Sequence, residues 1–524
     1  MACRVSLLLL VVMFNISLTV EAVDLRHTLL TQQVLKHQAE LSPAVFNHYK
    51  NNNYAYIWIK EKKLLPNAFK LFTYLANAKK MGLDANDYFP DEIRKRWGEK
   101  DSLIQAELEV LLTRAFEKYI SHLINGRWPA QEVDEHWHIR SASLDIEKIL
   151  DLLKSDDISA VIEKFKINNN GYKTLLTQLS FYQELADKGG WPIIEAGPLL
   201  VKGSQNTQVE IIRSRLRMTK DLVSGTPENV DKVDRVLQHA VMYFQARHGL
   251  KIDGKVGPQT RTIMNIPVEQ RIRQIKINLN RWRWMPRNLG QRYLFINLTG
   301  FELYAEENGK PVLSMPIIIG KHFRETPSFS SRLSYLEMNP YWTVPKSIAL
   351  KDLIPRQMRD SDYFNRHKIK MLNGWKKDAE EVDVSTVSLR RLNENYFPYT
   401  LRQEPGPLNS LGRIKFMFPN PYDIYLHDTP KRYLFEKRVR AFSSGCIRVK
   451  DPLKLSAYLL DMPTQQKEEE MMQLISRGEN RGMSLAKAVP IYLVYWTAWT
   501  DQDGRLNFRD DVYGRDEIMM KMLK

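Results

Sequence analysis

Apolar residues recur at intervals of three and four through the N-terminal third of the chain, which is the pattern of amphipathic helices. Two runs carry this pattern: Ile104, Leu108, Leu111, Leu112 and Phe116, and then Ile146, Ile149, Leu150 and Leu153. The segment His136-Trp137-His138 resembles a metal-ligand pair, but no cysteine or further clustered histidine accompanies it, so a surface or packing role is favoured. We predict a helical scaffold domain over residues 23–195.

A second helical unit follows the break at Gly189-Gly190-Trp191-Pro192. Its apolar stripe has helical spacing and consists of Val233, Val236, Leu237, Ala240, Val241 and Phe244. Gly249 can end this helix, Asp253-Gly254 makes a tight turn, and Gly257-Pro258 can open the next helix. We predict a small three-helix module over residues 205–268.

Residues 269–290 are basic and aromatic. They include Arg271, Arg273, Lys276, Arg281, Trp282, Arg283, Trp284 and Arg287. Basic residues interleaved with tryptophans suggest nucleic-acid binding, but the segment lacks a known reader motif. We therefore predict an amphipathic linker helix with its arginines in solvent, and no nucleic-acid partner.

Strand patterns begin at Tyr293. Leu294, Ile296 and Leu298 alternate, Asn308-Gly309 is a strong hairpin turn, and residues 312–319 are β-rich. These features predict a mostly antiparallel, β-sandwich-like domain over residues 291–485. A polar stretch at about 339–415 is too long for a loop and predicts an inserted lid subdomain. Residues 486–524 are predicted to be a C-terminal extension that packs on this domain, so the chain as a whole is a multidomain α+β protein.

The N-terminus has the features of an export signal over residues 1–22. Arg4 supplies a positive charge, Val5 to Phe14 is almost unbroken apolar sequence, and a cut ahead of Val23 is expected. The apolar stretch is short for a membrane span, although an uncleaved segment would add a weak membrane association. The net charge of +16 would draw an exported protein to polyanions such as anionic lipid, nucleic acid or the carboxylate-bearing bacterial wall.

Export changes the meaning of the two cysteines. Cys3 lies in the signal, so Cys446 is the only thiol expected in the mature chain. A single thiol cannot form an internal disulfide, so it is buried and inert, paired with another chain, or reactive.

The sequence around Cys446 favours the reactive alternative. Upstream, Tyr425 and His427 alternate with apolar residues, so both side chains should point from a strand into a cleft. A nearby histidine can accept the proton of a thiol, whose ordinary pKa is about 8.5. Gly445 lets the backbone bend so that amide groups can face a developing oxyanion. No zinc-ligand spacing and no Gly-x-Ser-x-Gly elbow occur here, so a metal-activated water and a conventional serine triad are disfavoured.

The run Ser443-Ser444-Gly445-Cys446-Ile447-Arg448 resembles the signature of the L,D-transpeptidase family with a YkuD-type catalytic domain. Ser444 stands where the common pattern has a second histidine. Phe244-Gln245 and the Asp253 to Thr260 run resemble a peptidoglycan-binding module. The insertion and the extra domains match the longer Gram-negative branch of the family.

This resemblance implies a role for each matching residue. Cys446 would be the nucleophile and His427 the general base and then the acid, while Ser444 and Gly445, with Cys446, would supply the oxyanion hole. Three further side chains would line or close the substrate cleft: Tyr425, Arg448 and Trp342. No metal and no cofactor is implied. Packing remains an alternative for Tyr425 and Trp342, and a structural salt bridge remains one for Arg448.

The resemblance also implies a reaction in the periplasm of a Gram-negative bacterium. The thiolate would attack a tetrapeptide stem of peptidoglycan, release the terminal D-alanine and transfer the acyl group to a neighbouring stem as a 3→3 cross-link. Carbapenem β-lactams would be covalent inhibitors. Three alternatives stay open: carboxypeptidase activity, attachment of a lipoprotein to the wall, and a non-catalytic wall-binding protein with a structural Cys446.

Overall fold

The computed structural model describes residues 25–141, 143–223, 228–376, 378–461 and 464–523, and for residues 464–467 it describes the backbone alone. The predicted export signal lies outside these residues. Within the described ranges, no helix combines the length and the apolar character that a bilayer crossing requires.

The N-terminal domain is helical, as its periodicity predicts. Its one hairpin among the described residues pairs β1 (Ile59–Lys60) with β2 (Lys63–Leu64). The helices are 25–36, Pro43–Asn51, Pro66–Ala76, Pro90–Arg96, Ser102–Asn125, Ala130–Val133, Ile146–Leu152, Ile158–Phe165 and Asn170–Asp187. Asp101 begins the longest of them by accepting hydrogen bonds from two backbone N–H groups of the first turn. Trp137 is buried against Trp284 at a ring distance of 5.1 Å, which is the packing role favoured from the sequence.

The next unit has three helices: Gln208–Met218, Arg235–Arg247 and Pro258–Met264. Gln245, buried in the second helix, organises the turn that follows. Its amide oxygen accepts from the N–H groups of Asp253 and Gly254 at 3.0 and 2.8 Å, and its amide nitrogen donates to Asp253. Gly254 has φ +66°, a conformation that favours glycine.

The helix Val268–Arg283 corrects the prediction of a solvated linker. Its arginines Arg271, Arg281 and Arg283 are buried. Arg281 forms a buried ion pair with Asp516 of the C-terminal segment at 2.5 Å, and the guanidinium of Arg271 lies 4.4 Å from the Phe508 ring centre. The prediction was wrong because, in the sequence, buried arginines whose partners are distant cannot be distinguished from the arginines of an exposed basic helix face.

The C-terminal half is built on one large sheet. Its strands, and those of the lid and C-terminal segment, are β3 (Arg292–Asn297), β4 (Glu302–Glu307), β5 (Lys310–Gly320), β6 (Ser330–Met338), β7 (Trp342–Thr343), β8 (Ile369–Asn373), β9 (Tyr399–Gln403), β10 (Ile414–Met417), β11 (Leu426–His427), β12 (Ala441–Ser443), β13 (Ile447–Val449), β14 (Arg481–Val494), β15 (Ala498–Thr500) and β16 (Leu506–Phe508). The large sheet has the order β12-β5-β13-β11-β10-β6-β14-β3-β4, and β4 also pairs with β5. The sheet therefore closes on itself around an apolar core.

The lid is a separate small unit. It contains the sheet β7-β9-β8 and the short helices Lys346–Ile348, Ile354–Arg359 and Tyr363–Arg366, and it has its own apolar core. Trp342 lies in that core and is 8% exposed. The observed elements fall inside the predicted insertion of about 339–415.

The C-terminal boundary differs from the prediction of a domain end at residue 485. Strand β14 runs through this position and lies in the middle of the sheet, antiparallel to β6 and parallel to β3. The helices Pro452–Leu459 and Thr464–Arg477 precede it. The segment that packs on the sheet begins after Val494 and ends with the helix Glu517–Met522.

Candidate active site

Strand register brings the predicted site residues to one face of the sheet. Strand β11 lies parallel to β13, with Leu426 opposite Ile447 and His427 opposite Arg448. Ile447 N–H donates to the Tyr425 carbonyl at 3.1 Å, which extends this register by one step. Because side chains alternate along a strand, four of them share a side, here called the cleft face: Tyr425, His427, Cys446 and Arg448.

The intervening residues explain why the strands adopt this orientation. Leu426, Ile447 and Val449 are fully buried in the apolar core on the opposite side. A slip of one residue would expose these side chains and bury the polar ones, so the register is strongly specified.

Lys415 also belongs to the cleft face, although sequence reasoning missed it. It pairs with His427 across β10 and β11, and its ammonium lies 4.2 Å from the centre of the Tyr425 ring. Burial lowers the pKa of Lys415, while Glu337, Cys446 and Asp423 act in the opposite direction. The sequence did contain a signal for this placement, because Lys415 alternates with the core residues Ile414 and Phe416 and so must point away from the core.

Cys446 is half-buried, and its Sγ donates to the Asp423 carbonyl at 3.5 Å. Burial raises the pKa of the thiol above its ordinary value. Interactions with Tyr425, and then the charges of Lys415 and Arg448, act to lower the same pKa. The free site therefore holds a neutral thiol whose surroundings nevertheless favour negative charge once it develops.

His427 is 4% exposed, and its Nδ1 lies 2.5 Å from the Asp428 carbonyl oxygen. Burial, followed by the charge of Arg448, lowers the pKa of the imidazole to about 3, against the hydrogen bonds to Asp428 and Leu411 that raise it. The ring is therefore neutral in this conformation. Among the described residues no hydrogen bond joins it to Cys446 Sγ, so in this conformation the two predicted catalytic groups share a face but are not hydrogen-bonded to each other.

The turn before Cys446 requires a glycine. Gly445 has φ +117°, and a Cβ there would lie 3.2 Å from Ile424 Cδ1. Buried Thr326 donates its hydroxyl to the Gly445 carbonyl at 2.7 Å, and Ser443 Oγ accepts from Gly445 N–H at 3.1 Å. This N–H therefore has a partner within the turn in this conformation, and an oxyanion would have to displace that hydroxyl.

Ser444 is exposed, and its hydroxyl faces the lid side of the turn. Arg324 Nη1 donates to Ser444 Oγ at 2.8 Å and to Asp352 Oδ2 of the lid at 2.5 Å. Sequence reasoning did not predict Arg324 or Thr326 as site residues. Both contact the turn before Cys446 from more than a hundred residues away along the chain, and Arg324 also contacts the lid.

Arg448 and its neighbours make the cleft electropositive. Its Nε is buried without a hydrogen-bond partner among the described residues. The pKa of Lys431 is lowered, first by partial burial and then by three cations: Arg448, Arg356 and Lys321. Arg356 lies on the lid and Lys321 follows β5, so positive charge comes from several sides of the opening.

Tyr425 connects the cleft face to the lid. Its ring packs against the lid core that contains Trp342, and Trp342 interacts with its hydroxyl. Burial raises the pKa of Tyr425 well above its ordinary value. Within the described part of the chain, no group of three or more histidine, cysteine, aspartate or glutamate side chains is arranged to hold a metal ion.

Comparisons with known families identify the domains. Residues 43–179 match the "Scaffold domain" family, residues 205–264 the "Putative peptidoglycan binding domain" family, and residues 291–467 the "L,D-transpeptidase catalytic domain" (YkuD) family. The chain therefore carries an L,D-transpeptidase catalytic domain together with a peptidoglycan-binding domain and a scaffold domain. This confirms the family resemblance and the mixed α+β fold class predicted from the sequence.

A Haemophilus influenzae protein named "Putative L,D-transpeptidase" is 32% identical over 223 residues. The match covers 43% of this chain and 44% of that protein, so it spans less than half the length of the relative.

Among solved structures, the L,D-transpeptidase from Xylanimonas cellulosilytica is 16% identical and covers 57% of this chain and 99% of its own, with a TM-score of 0.18. The L,D-transpeptidase from Stackebrandtia nassauensis is 12% identical and covers 58% and 96%, with a TM-score of 0.22. At these scores the superpositions carry no structural conclusion.

Proposed function

We propose that the protein is a cysteine L,D-transpeptidase that forms 3→3 cross-links between peptidoglycan stems through a thioester on Cys446. The observation that carries this proposal is the strand register that places Cys446, His427 and Arg448 on one cationic face beneath a lid. The peptidoglycan-associated domains imply an extracellular or periplasmic location, and we place the protein in the periplasm of a Gram-negative bacterium.

The first step is acylation. His427 accepts the thiol proton, Cys446 sulfur attacks the carbonyl of the third stem residue, and the bond to the terminal D-alanine breaks as the imidazolium returns the proton to the leaving amine. A neutral imidazole is the state that this transfer requires, and the low pKa of His427 supports it. The turn or the ring must first move so that the sulfur and the imidazole come within hydrogen-bond reach.

The tetrahedral oxyanion is stabilised by backbone N–H groups of Ser444, Gly445 and Cys446. One such donor is typically worth about 3 kcal/mol of barrier. In the free protein the Gly445 N–H donates to Ser443 Oγ, and during the reaction it would donate to the oxyanion instead.

In the second step, the side-chain amine of a neighbouring stem attacks the thioester and gives its proton to His427. The carbon–sulfur bond then breaks, and the imidazolium returns the proton to the Cys446 thiolate. The thioester conserves the energy of the broken peptide bond, so no nucleotide is consumed. If water takes the place of the amine, the same intermediate yields a carboxypeptidase product.

The electropositive cleft suits a stem peptide that carries carboxylates. Arg448 has an unpartnered buried Nε and can pair with a carboxylate of the donor stem. Tyr425 and Trp342 would close the apolar side of the cleft, because Tyr425 packs between the strand and the lid.

Intact-protein mass spectrometry tests the proposal. The protein is incubated with a carbapenem, and one covalent adduct is expected, which Cys446→Ala abolishes and the neighbouring Ser444→Ala retains. Folded protein without an adduct would contradict the enzyme assignment. Incubation with disaccharide–tetrapeptide then separates the outcomes: a cross-linked dimer with loss of D-alanine supports transpeptidation, whereas a trimmed monomer alone indicates carboxypeptidase activity.

The role of His427 is tested separately. His427→Ala should acylate roughly 100-fold or more slowly, the scale of general-base loss, while circular dichroism shows an intact fold. Acylation at a near-normal rate would identify another base.

A further inference from the structure

A cavity of about 730 Å³ lies between the scaffold domain, the end of the helix Val268–Arg283 and the outer face of β3, β4 and β5. None of its lining residues belongs to the site around Cys446. Its volume is in the range of pockets that enclose small ligands.

The floor of the cavity is formed by alternate residues of β4. Glu302, Tyr304 and Glu306 face the cavity, whereas Leu303 and Ala305 are fully buried in the core on the other side. The floor therefore presents two carboxyl groups on either side of a phenol ring.

Burial raises the pKa of the half-buried Glu302 carboxyl, and the nearby cations Arg509 and Arg440 act to lower it. Elsewhere in the lining, a buried polar atom lacks a hydrogen-bond partner among the described residues. Trp496 lines the same cavity at 1% exposure, and its Nε1 is buried without a hydrogen-bond partner in the described part of the chain. Buried polar groups are nearly always paired in native proteins, so unpaired ones at a cavity point to a missing ligand or water.

The rim adds neutral hydrogen-bonding groups. Exposed amides and hydroxyls surround the opening: Asn168, Asn170, Asn288, Ser314 and Gln502. Glu306 accepts a hydrogen bond from Tyr293, so one of the two floor carboxylates is already oriented.

This chemistry excludes some classes of ligand. The lining carries charges of both signs, with Glu302, Glu306 and Asp501 beside Arg287 and Lys310, so it favours neither a strongly anionic nor a strongly cationic ligand. Its many donors and acceptors disfavour a purely apolar ligand. Carboxylates, amides and an aromatic ring together match a ligand that has hydroxyl and amide groups on a ring with apolar faces.

We propose that this cavity binds a short segment of a neutral amino-sugar glycan, the class of polymer that forms peptidoglycan strands. The inference rests on the proposed substrate, peptidoglycan, but not on the chemistry of Cys446. A glycan held here would leave its stem peptides free to reach the cationic cleft of the same catalytic domain.

Isothermal titration calorimetry of the full chain carrying Cys446→Ala tests this proposal, with N-acetylglucosamine tetramer as the probe. Ser314→Trp fills the rim and should weaken binding at least tenfold. Val312→Trp is the matched control, because Val312 is exposed on the same strand but does not line the cavity, and it should bind normally. Glu302→Ala should weaken binding to a similar extent as Ser314→Trp.

The outcomes separate this proposal from the catalytic one. Absence of tetramer binding, or equal affinity of the Ser314→Trp and Val312→Trp proteins, would overturn the glycan site even if the carbapenem adduct forms on Cys446. Binding that the free tetrapeptide stem displaces, through the same Ser314 and Glu302 positions, would assign the cavity to peptide instead.

Discussion

The guanidinium of Arg324 lies 2.8 Å from the hydroxyl of Ser444, the residue that precedes Gly445 and Cys446 in the sequence. The same Nη1 lies 2.5 Å from Asp352 of the lid. One arginine therefore joins the nucleophile turn to the lid at the position where the family signature has histidine. The position of the lid and the geometry of the turn should be coupled through this contact.

Arg324→Ala should slow acylation by a carbapenem about two- to fivefold, because a half-buried ion pair of this kind contributes about 0.5–1 kcal/mol. Stopped-flow measurement of acylation checks this expectation. Arg438→Ala is the control, since Arg438 forms a comparable pair with Asp510 away from the cleft. Equal rates for the unsubstituted and Arg324→Ala proteins would show that the contact does not couple the lid to the turn.

The protonation of Cys446 gives a second prediction. Burial raises the pKa of the thiol and the charge of Lys415 lowers it, so Lys415→Met should raise this pKa further. The rate of iodoacetamide alkylation, measured from pH 6 to 10, should rise into the alkaline range, and the Lys415→Met curve should be displaced to higher pH. Lys95→Met, on an exposed scaffold helix, is the control. A plateau already at pH 7 would indicate a resting thiolate and contradict this description.

Local patterns predicted much of the fold and the shared strand face of several candidate site residues. Helical periodicity located the scaffold, and strand alternation correctly placed Tyr425 and His427 on one face, because both signals depend on near neighbours in sequence. The placement of Arg448 on the same side as Cys446 followed from the same alternation. These inferences needed no knowledge of distant contacts.

Features that depend on distant partners were missed. Lys415, Thr326 and Arg324 acquire their positions through strand pairing or through hydrogen bonds to remote segments, which one sequence does not reveal. The same limit explains the wrong prediction for the helix Val268–Arg283. Arg281 was expected in solvent because its partner Asp516 lies 235 positions later in the chain.

That buried pair provides a third prediction. Arg281→Met would leave Asp516 charged and buried, so the free energy of unfolding should fall by about 3–5 kcal/mol. Urea denaturation followed by tryptophan fluorescence measures the change. Arg273→Met, on the same helix but half-buried and without a described ion pair, should change stability by about 0.5 kcal/mol or less. A similar small effect for both variants would place the arginine of position 281 in solvent after all.

The buried imidazole of His427 makes stability depend on pH. Its pKa is about 3 in the folded protein, whereas an unfolded histidine titrates near 6.5. Between these values the unfolded chain binds a proton that the folded chain does not, so this contribution is complete above about pH 6.5 and is lost as the pH falls. Each such histidine adds a slope of about 1.4 kcal/mol per pH unit. Buried Glu109, whose folded pKa is raised to about 8, acts in the opposite direction.

Comparison of variants removes that opposing contribution, because Glu109 is common to all of them. Urea unfolding free energies measured between pH 6 and 4 should fall less steeply for His427→Asn than for the unsubstituted protein, by about 1.4 kcal/mol per pH unit. His239→Asn controls for the loss of an exposed histidine and should leave the slope unchanged. Parallel curves for the unsubstituted and His427→Asn proteins would mean that His427 takes up its proton in the folded state, which would also remove the neutral base that the acylation step requires.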